Sequence, residues 1–292
     1  MNKQGRILKG IGGFYYVEAG ESVYECKARG IFRQKGTPPV AGDWVEISVD
    51  AAGVGIIEEI LPRKNVLVRP PCANVDQMLL VVSVCEPAPN LLVLDKMTAV
   101  AQNRQITPIL VITKTDLQSP AELEEIYRKA GIPVIAASLV SGAGIAQIKE
   151  RLTGRVSVFT GNSGVGKSSL LNCIHSGFCR ETGTVSAKLG RGRHTTRQVE
   201  FLKLPFGGYA ADTPGFSTMD MERYNLVEKQ NLQYCFPEMQ PYLTKCRFSS
   251  CSHTCEKDCA VLNAVQQGEI APSRHRNYVT MYEQVKDKKQ WE

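Results

Sequence analysis

The stretch Gly161-Asn162-Ser163-Gly164-Val165-Gly166-Lys167-Ser168 decides the fold of this chain. It has the spacing G-x-x-x-x-G-K-S of a P-loop, in which glycines let backbone N–H groups close around phosphate oxygens. Residues 156–160 before it form a short stretch rich in apolar and β-branched side chains, which predicts a buried strand. Residues 169–174 after it carry leucine and isoleucine at helical spacing. The motif therefore lies between a strand and a helix N-terminus, the context that phosphate binding requires.

Two side chains of this loop have distinct expected roles. Lys167 is expected to reach the β and γ phosphates and to act in catalysis, and the Ser168 hydroxyl is expected to hold Mg²⁺. The whole stretch is assigned to nucleotide binding. Its residues are Gly161, Asn162, Ser163, Gly164, Val165, Gly166, Lys167, Ser168 and Ser169.

A second nucleotide motif precedes the P-loop. Residues 107–112 form an apolar strand that runs into Thr113-Lys114-Thr115-Asp116, which matches the guanine-reading pattern [N/T]-K-x-D. An aspartate carboxylate accepts hydrogen bonds from N1–H and the 2-amino group of guanine, donors that adenine lacks. Ser138 lies at the end of a later predicted strand, a position that resembles the short loop behind the base in GTPases. Together these residues predict selection of guanine.

Two segments after the P-loop resemble the switches of GTPases. Residues 188–197 are rich in glycine and basic side chains, and Thr195 and Thr196 could cover the γ-phosphate. A strand is predicted over residues 198–202. The second switch is Asp212-Thr213-Pro214-Gly215, with Asp212 on the Mg²⁺ side and the Gly215 N–H on the γ-phosphate.

The order of the motifs is unusual for a GTPase. The guanine loop precedes the P-loop, whereas an ordinary GTPase has the P-loop first, then the switches and then the guanine loop. All of these loops follow strands of one sheet, so their clustering does not depend on where the chain starts. The order predicts a circular permutation.

The water-orienting glutamine of many GTPases is absent. Phe216 follows the second switch, and a phenyl ring cannot orient water by hydrogen bonding. Slow intrinsic hydrolysis is therefore expected, with His194 or a bound partner completing the site. His194 could equally contact RNA or be solvated.

Residues 1–67 read as a small all-β segment. Five short strand candidates separated by glycines suit a closed barrel of the OB type. Such barrels often bind RNA, and Tyr15, Tyr16, Phe32 and Trp44 could stack on bases or fill the barrel. Arg29, Arg33 and Lys35 cluster on a loop that could contact RNA or be a solvated rim.

The last segment holds a cysteine and histidine cluster. Cys246, Cys251, His253 and Cys259 are the types of ligand that bind tetrahedral Zn²⁺, and a fully ligated Cys₃His site is structural. Cys255 is a competing fifth candidate. A helix is predicted over residues 273–288, whose basic side chains, including Arg274 and His275, are expected to be solvated.

Composition limits the class of protein. The chain has 292 residues, a formal net charge of +6 and 10 cysteines. Its N-terminus lacks the long apolar stretch of a signal peptide, and no apolar run is long enough for a membrane span. A cytoplasmic protein with reduced thiols or metal ligands is expected.

In combination, the motifs resemble the RsgA (YjeQ/YloQ-type) family of circularly permuted GTPases. The resemblance rests on the barrel, the early guanine loop, D-T-P-G-F and the C-x4-C-x-H-x5-C cluster, and it covers nearly the whole chain. It implies GTP hydrolysis stimulated by the small ribosomal subunit, late maturation of that subunit, and rRNA as a partner. Thr113 replaces the commoner Asn of the family's guanine loop.

The expected fold is a multidomain α/β protein. An OB-type β-barrel spans residues 1–67, a circularly permuted P-loop GTPase domain 68–224, and a mainly helical zinc-binding domain 225–292. One Zn²⁺ per chain, Mg²⁺ with GTP and a monomer are expected. Two other functions stay open: a P-loop kinase, for which no acceptor motif is visible, and an RNA-binding module that only senses nucleotide.

Overall fold

The computed structural model of the chain describes residues 2–34, 36–51, 53–178, 199–213 and 227–286. It divides into two compact units. The first combines Met1–Gln77, Lys149–Phe159 and Ser168–Pro214, and the second combines Met78–Ile148, Thr160–Lys167 and Gly215–Glu292. Each unit is thus assembled from segments that lie far apart in the sequence.

The N-terminal segment forms a closed five-stranded barrel, as predicted. Its strands are β1 Asn2–Ile11, β2 Phe14–Ala19, β3 Ser22–Ala28, β4 Trp44–Val49 and β5 Gly55–Ile60. Around the barrel they lie in the order β1-β2-β3-β5-β4. The β3–β5 pair is parallel and the other four pairs are antiparallel.

The structure shows which of the aromatic side chains named from the sequence fill the core of the barrel. Alternate residues such as Ile7, Val17 and Val45 point inward and are fully buried. A short helix, α1 Ile31–Gln34, follows β3 where a loop was predicted, and its Phe32 joins this core. Tyr15 packs against the core, whereas Trp44 is 40% exposed. Phe32 is therefore a core residue and Trp44 stays available to a partner.

The connector after the barrel contains regular secondary structure. It contains a two-stranded sheet of β6 Val66–Val68 and β7 Pro71–Ala73. Arg63 forms a bidentate contact with the buried Asp43, with Nε 2.7 Å from Oδ1 and Nη2 2.8 Å from Oδ2. This charge-assisted pair fixes the connector to the turn before β4.

The GTPase region contains a six-stranded sheet. Its strands are β8 Gln77–Ser83, β9 Thr107–Thr113, β10 Val134–Ala136, β11 Val156–Gly161, β12 Leu202–Lys203 and β13 Tyr209–Asp212. They lie in the order β10-β9-β8-β11-β13-β12. The pairs β9–β10 and β11–β13 are parallel, and β12 pairs antiparallel with β13. Every residue of β8 is buried, as expected for a strand covered on both faces.

Within the described residues, four helices accompany these strands. They are α2 Leu91–Asn103, α3 Ala121–Lys129, α4 Ile145–Leu152 and α5 Lys167–Ile174, followed by a 3₁₀ turn at Ser176–Phe178. The position of α5 agrees with the helical spacing of the apolar residues at 169–174. The Asn90 side chain accepts from the Val93 N–H at 3.2 Å and caps α2.

The strand predicted over residues 198–202 is confirmed only at Leu202, where β12 begins, and residues 199–201 are not a strand. The alternation of Val199, Glu200 and Phe201 resembles a strand pattern, but these residues do not pair within the sheet. Instead the Phe201 N–H donates to the Leu8 carbonyl at 2.9 Å, and Glu200 pairs with Lys9 at 2.6 Å. The alternating pattern of residues 199–201 therefore reflects packing of this segment against β1.

The C-terminal segment is mainly helical, as predicted. It contains α6 Lys229–Leu232, 3₁₀ helices at Gln233–Cys235 and Pro237–Lys245, α7 Ala260–Gln266 and α8 Pro272–Val285. The expected solvation of the basic residues on the last helix is wrong for two of them. Arg274 is only 1% exposed and His275 is also buried. Both have polar partners on other elements, which a single-helix pattern does not reveal.

Candidate functional site

The P-loop follows β11 and has the backbone of a phosphate-binding turn. Gly164 and Gly166 have φ values of +83° and +88°, a region that favours glycine. Gly161 meets a different constraint, since a Cβ there would lie 2.4 Å from the Val81 carbonyl oxygen. Gly164 and Gly166 are thus required by the backbone of the loop and Gly161 by its close approach to β8, and α5 begins directly after the loop at Lys167.

The guanine loop is attached to the P-loop through Thr113. The Thr113 hydroxyl is buried, 2.5 Å from the Val165 carbonyl and 2.9 Å from the Val82 carbonyl. It carries one proton, so it donates to one of these oxygens at a time. The residue that replaces the commoner Asn therefore still connects the two loops.

Replacing Thr113 by Val should weaken GDP binding by about three- to tenfold, because a neutral hydrogen bond contributes about 0.5–1.5 kcal/mol. Valine keeps the shape of threonine and removes only the hydroxyl, with its contacts to the Val165 and Val82 carbonyls. Equilibrium titration with a fluorescent GDP analogue measures the effect. Thr113→Ser keeps the hydroxyl and serves as the control. Equal affinities for the two variants would show that this contact does not support the site.

Asp116 and Ser138 lie together, as the base-binding role requires. The Ser138 Oγ donates to Asp116 Oδ1 at 2.6 Å and accepts from the N–H groups of Val140 and Ser141. Lys114 has φ +60°, and its ammonium group donates to the Glu86 carbonyl. The Thr115 N–H points to the Ala137 carbonyl at 3.4 Å. The two loops thus form one connected surface after β9 and β10.

The second switch is described only in part. Asp212 ends β13 opposite Phe159 of β11. Thr213 is buried, and both its N–H and its hydroxyl donate to the Phe159 carbonyl, at 2.9 and 2.7 Å. Pro214, Gly215, Phe216, His194, Thr195 and Thr196 lie outside the described residues. The roles predicted for those residues stay predictions.

The four predicted metal ligands come together. The ligand atoms of Cys246, Cys251, His253 and Cys259 all lie within 4.8 Å of one another. His253 Nδ1 is 3.5 Å from Cys246 Sγ and 3.6 Å from Cys259 Sγ, and these sulfurs are 3.9 Å apart. Ligands bound tetrahedrally at the usual Zn–S and Zn–N lengths are about 3.5–3.8 Å apart. The donor set and its spacing therefore fit a tetrahedral metal.

Cys255 is exposed and is not part of this group. The chain turns around Glu256, whose carboxylate accepts from the N–H groups of Ser252, Thr254 and Cys255. Burial opposes ionisation of Glu256, but these bonds and the Ser252 hydroxyl lower its pKa to about 2. The charged Glu256 thus orders the backbone around the candidate ligands.

Residues that the motif search missed hold this cluster in place. His253 Nε2 lies 3.0 Å from Gln233 Oε1, which orients the ring so that Nδ1 faces the sulfurs. His275 Nε2 lies 2.8 Å from the His253 carbonyl, and the Tyr278 hydroxyl donates to the Ser252 carbonyl at 2.8 Å. Helix α8 therefore supports the main chain at Ser252 and His253.

Arg274 joins α8 to α2 through a buried charge cluster. Its Nη1 donates to Asp95 Oδ1 at 2.7 Å, and its Nε donates to Glu238 Oε1 at 2.7 Å. Asp95 also accepts from the Tyr127 hydroxyl and from Asn277. Burial lowers the pKa of Arg274, but the two carboxylates outweigh it and raise that pKa above its ordinary value. The guanidinium stays charged and fixes the C-terminal segment to the GTPase region.

An apolar pocket connects α2 with the P-loop. Among the residues that line it are Val81, Val93, Leu94, Met97, Gly161 and Val165. Leu94 and Met97 flank Asp95 on α2. The helix that binds Arg274 thus also borders the phosphate-binding loop.

The chain matches two family models. The model described as RsgA GTPase covers residues 60–222, and the model described as RsgA N-terminal domain covers residues 4–57. Together these matches cover most of the chain. The chain belongs to the RsgA family. GTP hydrolysis is the activity that defines this family, and it is the activity of this member.

Relatives of the RsgA family match over the full length. The small ribosomal subunit biogenesis GTPase RsgA of Caldanaerobacter subterraneus subsp. tengcongensis is 46% identical, over 98% of this chain and 96% of the relative. That of Geobacillus kaustophilus is 43% identical, over 98% of each chain.

Two solved structures from the RsgA family share the fold. YjeQ from Thermotoga maritima has a TM-score of 0.83 and 37% identity, over 99% of this chain and 100% of that one. YloQ, described as a circularly permuted GTPase, has a TM-score of 0.80 and 33% identity, over 99% and 96%. The permuted order predicted from the motifs agrees with these matches. No helix in the described part of this RsgA chain is long and apolar enough to cross a membrane.

Proposed function

We propose that the chain hydrolyses GTP while bound to the small ribosomal subunit, that it assists late maturation of the subunit, and that the subunit stimulates hydrolysis. The observation that carries this proposal is the joined P-loop and guanine loop, with Thr113 bound to Val165, in a chain of the RsgA family. The relatives named for small-subunit biogenesis match over nearly their entire length, which supports a shared partner.

The nucleotide roles follow the chemistry of the loops. The backbone N–H groups of the P-loop bind the β and γ phosphates, and Lys167 neutralises the charge that develops there. Asp116 reads the guanine edge, Lys114 covers the base and Ser138 holds Asp116 in place. These assignments supply both phosphate binding and base selection.

The Ser168 hydroxyl and the Asp212 carboxylate would hold Mg²⁺, since this cation prefers hard oxygen ligands. When bound, Mg²⁺ would offset the negative charge of the β and γ phosphates. The Gly215 N–H, with Thr195 and Thr196, would contact the γ-phosphate. His194 is our candidate for orienting water in place of the glutamine, since Phe216 cannot do so.

The Cys₃His cluster is proposed to bind one structural Zn²⁺. Four soft or borderline ligands leave no open position for a substrate, which favours a structural over a catalytic site. In this role the metal would fix a segment whose own core is small.

The barrel is proposed to contact rRNA. Trp44 is exposed for stacking, and Lys9 lies 5.3 Å from the Tyr16 ring centroid, so an aromatic and cationic surface is present on the barrel. We further propose domain boundaries at 1–67, 68–224 and 225–292, a monomer, and a cytoplasmic location, where small subunits mature.

Changing Asp116 to Asn should abolish the preference for GTP over ATP and weaken GTP binding by roughly a hundredfold or more. Two hydrogen bonds to a charged acceptor are lost, each contributing about 1.5–3 kcal/mol. The asparagine amide donates to the 2-oxo group of xanthine, so XTP binding should rise. Competition titrations with GTP, XTP and ATP measure all three effects.

Asp50→Asn, a change in a turn of the barrel, is the matched control and should leave the nucleotide preference unchanged. Equal affinity of the unmutated protein for ATP and GTP would reject the guanine assignment.

A further inference from the structure

A stack of side chains joins the barrel to β13. Arg6 on β1 lies opposite Glu18 on β2 and opposite Trp44 on β4. The Arg6 guanidinium is 4.8 Å from the Trp44 ring centroid and 5.0 Å from the Tyr209 ring centroid. The cation is therefore held between a ring of the barrel and a ring of β13.

The hairpin of β12 and β13 is attached to the barrel at further points. Glu18 accepts hydrogen bonds from the Tyr209 hydroxyl and from Lys203 Nζ, the latter at 2.7 Å. Burial would raise the pKa of Glu18, but these two donors keep it below its ordinary value. Glu18 is thus ionised, and its carboxylate binds one residue of each strand of the hairpin.

Arg6 is an unusual choice for this position. It is only 8% exposed, and its Nε and Nη1 are buried with no hydrogen-bond partner among the described residues. Buried donors without partners are unfavourable, and an apolar side chain could fill the same space. The residue is therefore not explained by packing alone, and its contact with Tyr209 is what distinguishes it.

Strand β13 is paired through its backbone with β11 and β12, but its central residues have small side chains. Between Tyr209 and Asp212 it contains only Ala210 and Ala211, both fully buried. Tyr209 pairs with Val156 and Asp212 pairs with Phe159, so the two ends of β13 move as one short strand. Tyr209 thus adds a side-chain contact with the barrel at the start of the strand that ends in Asp212.

We propose that Arg6 and Tyr209 are positioning residues of the GTPase reaction, which hold β13 so that Asp212 meets Mg²⁺ in productive geometry. The inference rests on the proposed role of Asp212. Neither residue belongs to the loops that are proposed to bind the nucleotide or the metal. A small displacement of a group that binds the reacting complex has a large effect on rate, so the loss should be measurable.

Arg6→Met tests the inference because methionine keeps the length of the side chain and removes its charge. We expect the Mg²⁺ concentration that half-maximally slows release of N-methylanthraniloyl-GDP to rise on the order of tenfold. The affinity for the same analogue without Mg²⁺ should stay unchanged, which separates misplacement of Asp212 from general damage. Arg6→Lys should restore part of the effect, because it keeps a cation between the rings.

Lys27→Met is the matched control. Lys27 is an exposed barrel lysine 5.3 Å from the Phe14 ring centroid, so its loss removes a cation from a ring of the barrel but not from Tyr209. It should leave the Mg²⁺ dependence unchanged. If Arg6→Met does not fold, Tyr209→Phe is the second test. This change removes only the hydroxyl that donates a hydrogen bond to Glu18, and it should shift the Mg²⁺ dependence in the same direction.

Asp212→Asn separates this inference from the proposed function. If Asp212→Asn leaves the Mg²⁺ dependence unchanged, the role of Asp212 is wrong and the inference fails with it. If Asp212→Asn raises the required Mg²⁺ while folded Arg6→Met and Tyr209→Phe behave like the unmutated protein, the inference alone is overturned.

Discussion

GTP turnover by the Lys167→Ala variant should fall at least a hundredfold. Lys167 stands at the start of α5, directly after the glycines with positive φ, where its ammonium group is proposed to meet the β and γ phosphates. Loss of one donor to charge that develops in a transition state typically costs about 10²–10³ in rate. Phosphate release under saturating GTP measures the effect.

Two variants show whether position or charge is responsible. Lys167→Arg keeps the charge but replaces a compact ammonium by a planar fork, so its turnover should also fall. Lys129→Ala removes a surface lysine that pairs with Glu125 on α3, and its turnover should match the unmutated protein. Retention of most activity in Lys167→Ala would remove the P-loop from the mechanism.

The Cys246→Ala and Cys259→Ala variants should each lose the bound metal. Structural zinc sites bind with about 10–16 kcal/mol of apparent free energy, and this energy also stabilises the fold around them. Loss of one thiolate from four ligands should therefore reduce metal content from about one ion per chain to near zero. The C-terminal segment should become sensitive to protease, which a time course of limited digestion would record.

Cys255→Ala is the matched control for the metal. Cys255 lies between the candidate ligands in sequence but is exposed and outside the cluster. Elemental analysis should find its metal content unchanged. Loss of metal only in Cys255→Ala would mean that the proposed ligand set is wrong.

The local motifs could be predicted from the sequence because each contains its own chemical requirement. Gly164 and Gly166 adopt the positive φ that a phosphate loop needs, and the cysteines and His253 are spaced to converge on one point. The five barrel strands and the helix Leu91–Asn103 follow from periodicities of two and 3.6 residues. Short-range patterns were sufficient for these features.

The long-range charge contacts could not be predicted in this way. Arg274 reads as a surface residue because its partners Asp95 and Glu238 lie on other elements, far from it in sequence. Arg6 reads as a solvated strand residue until Tyr209 is brought next to it. Burial of an arginine depends on tertiary partners that no local pattern encodes.

Two short segments differ from their predicted secondary structure because tertiary contacts outweigh local propensity. Val199 and Phe201 alternate as a strand would, but the Phe201 N–H donates to the Leu8 carbonyl of the barrel. The sequence predicts a loop where the helix Ile31–Gln34 lies, because four residues are too few to show a helical period. In both places a buried aromatic side chain, Phe201 or Phe32, accounts for the observed structure.

The GTPase rate measured against the concentration of purified small ribosomal subunits tests the central claim most directly. The account predicts slow turnover alone and a saturable rise of about tenfold or more, well within what partner-assisted GTPases achieve. Lys167→Ala with the same subunits corrects for contaminating hydrolases. A flat curve with small subunits, or a rise only with large subunits, would contradict the account and leave a GTPase with a different partner.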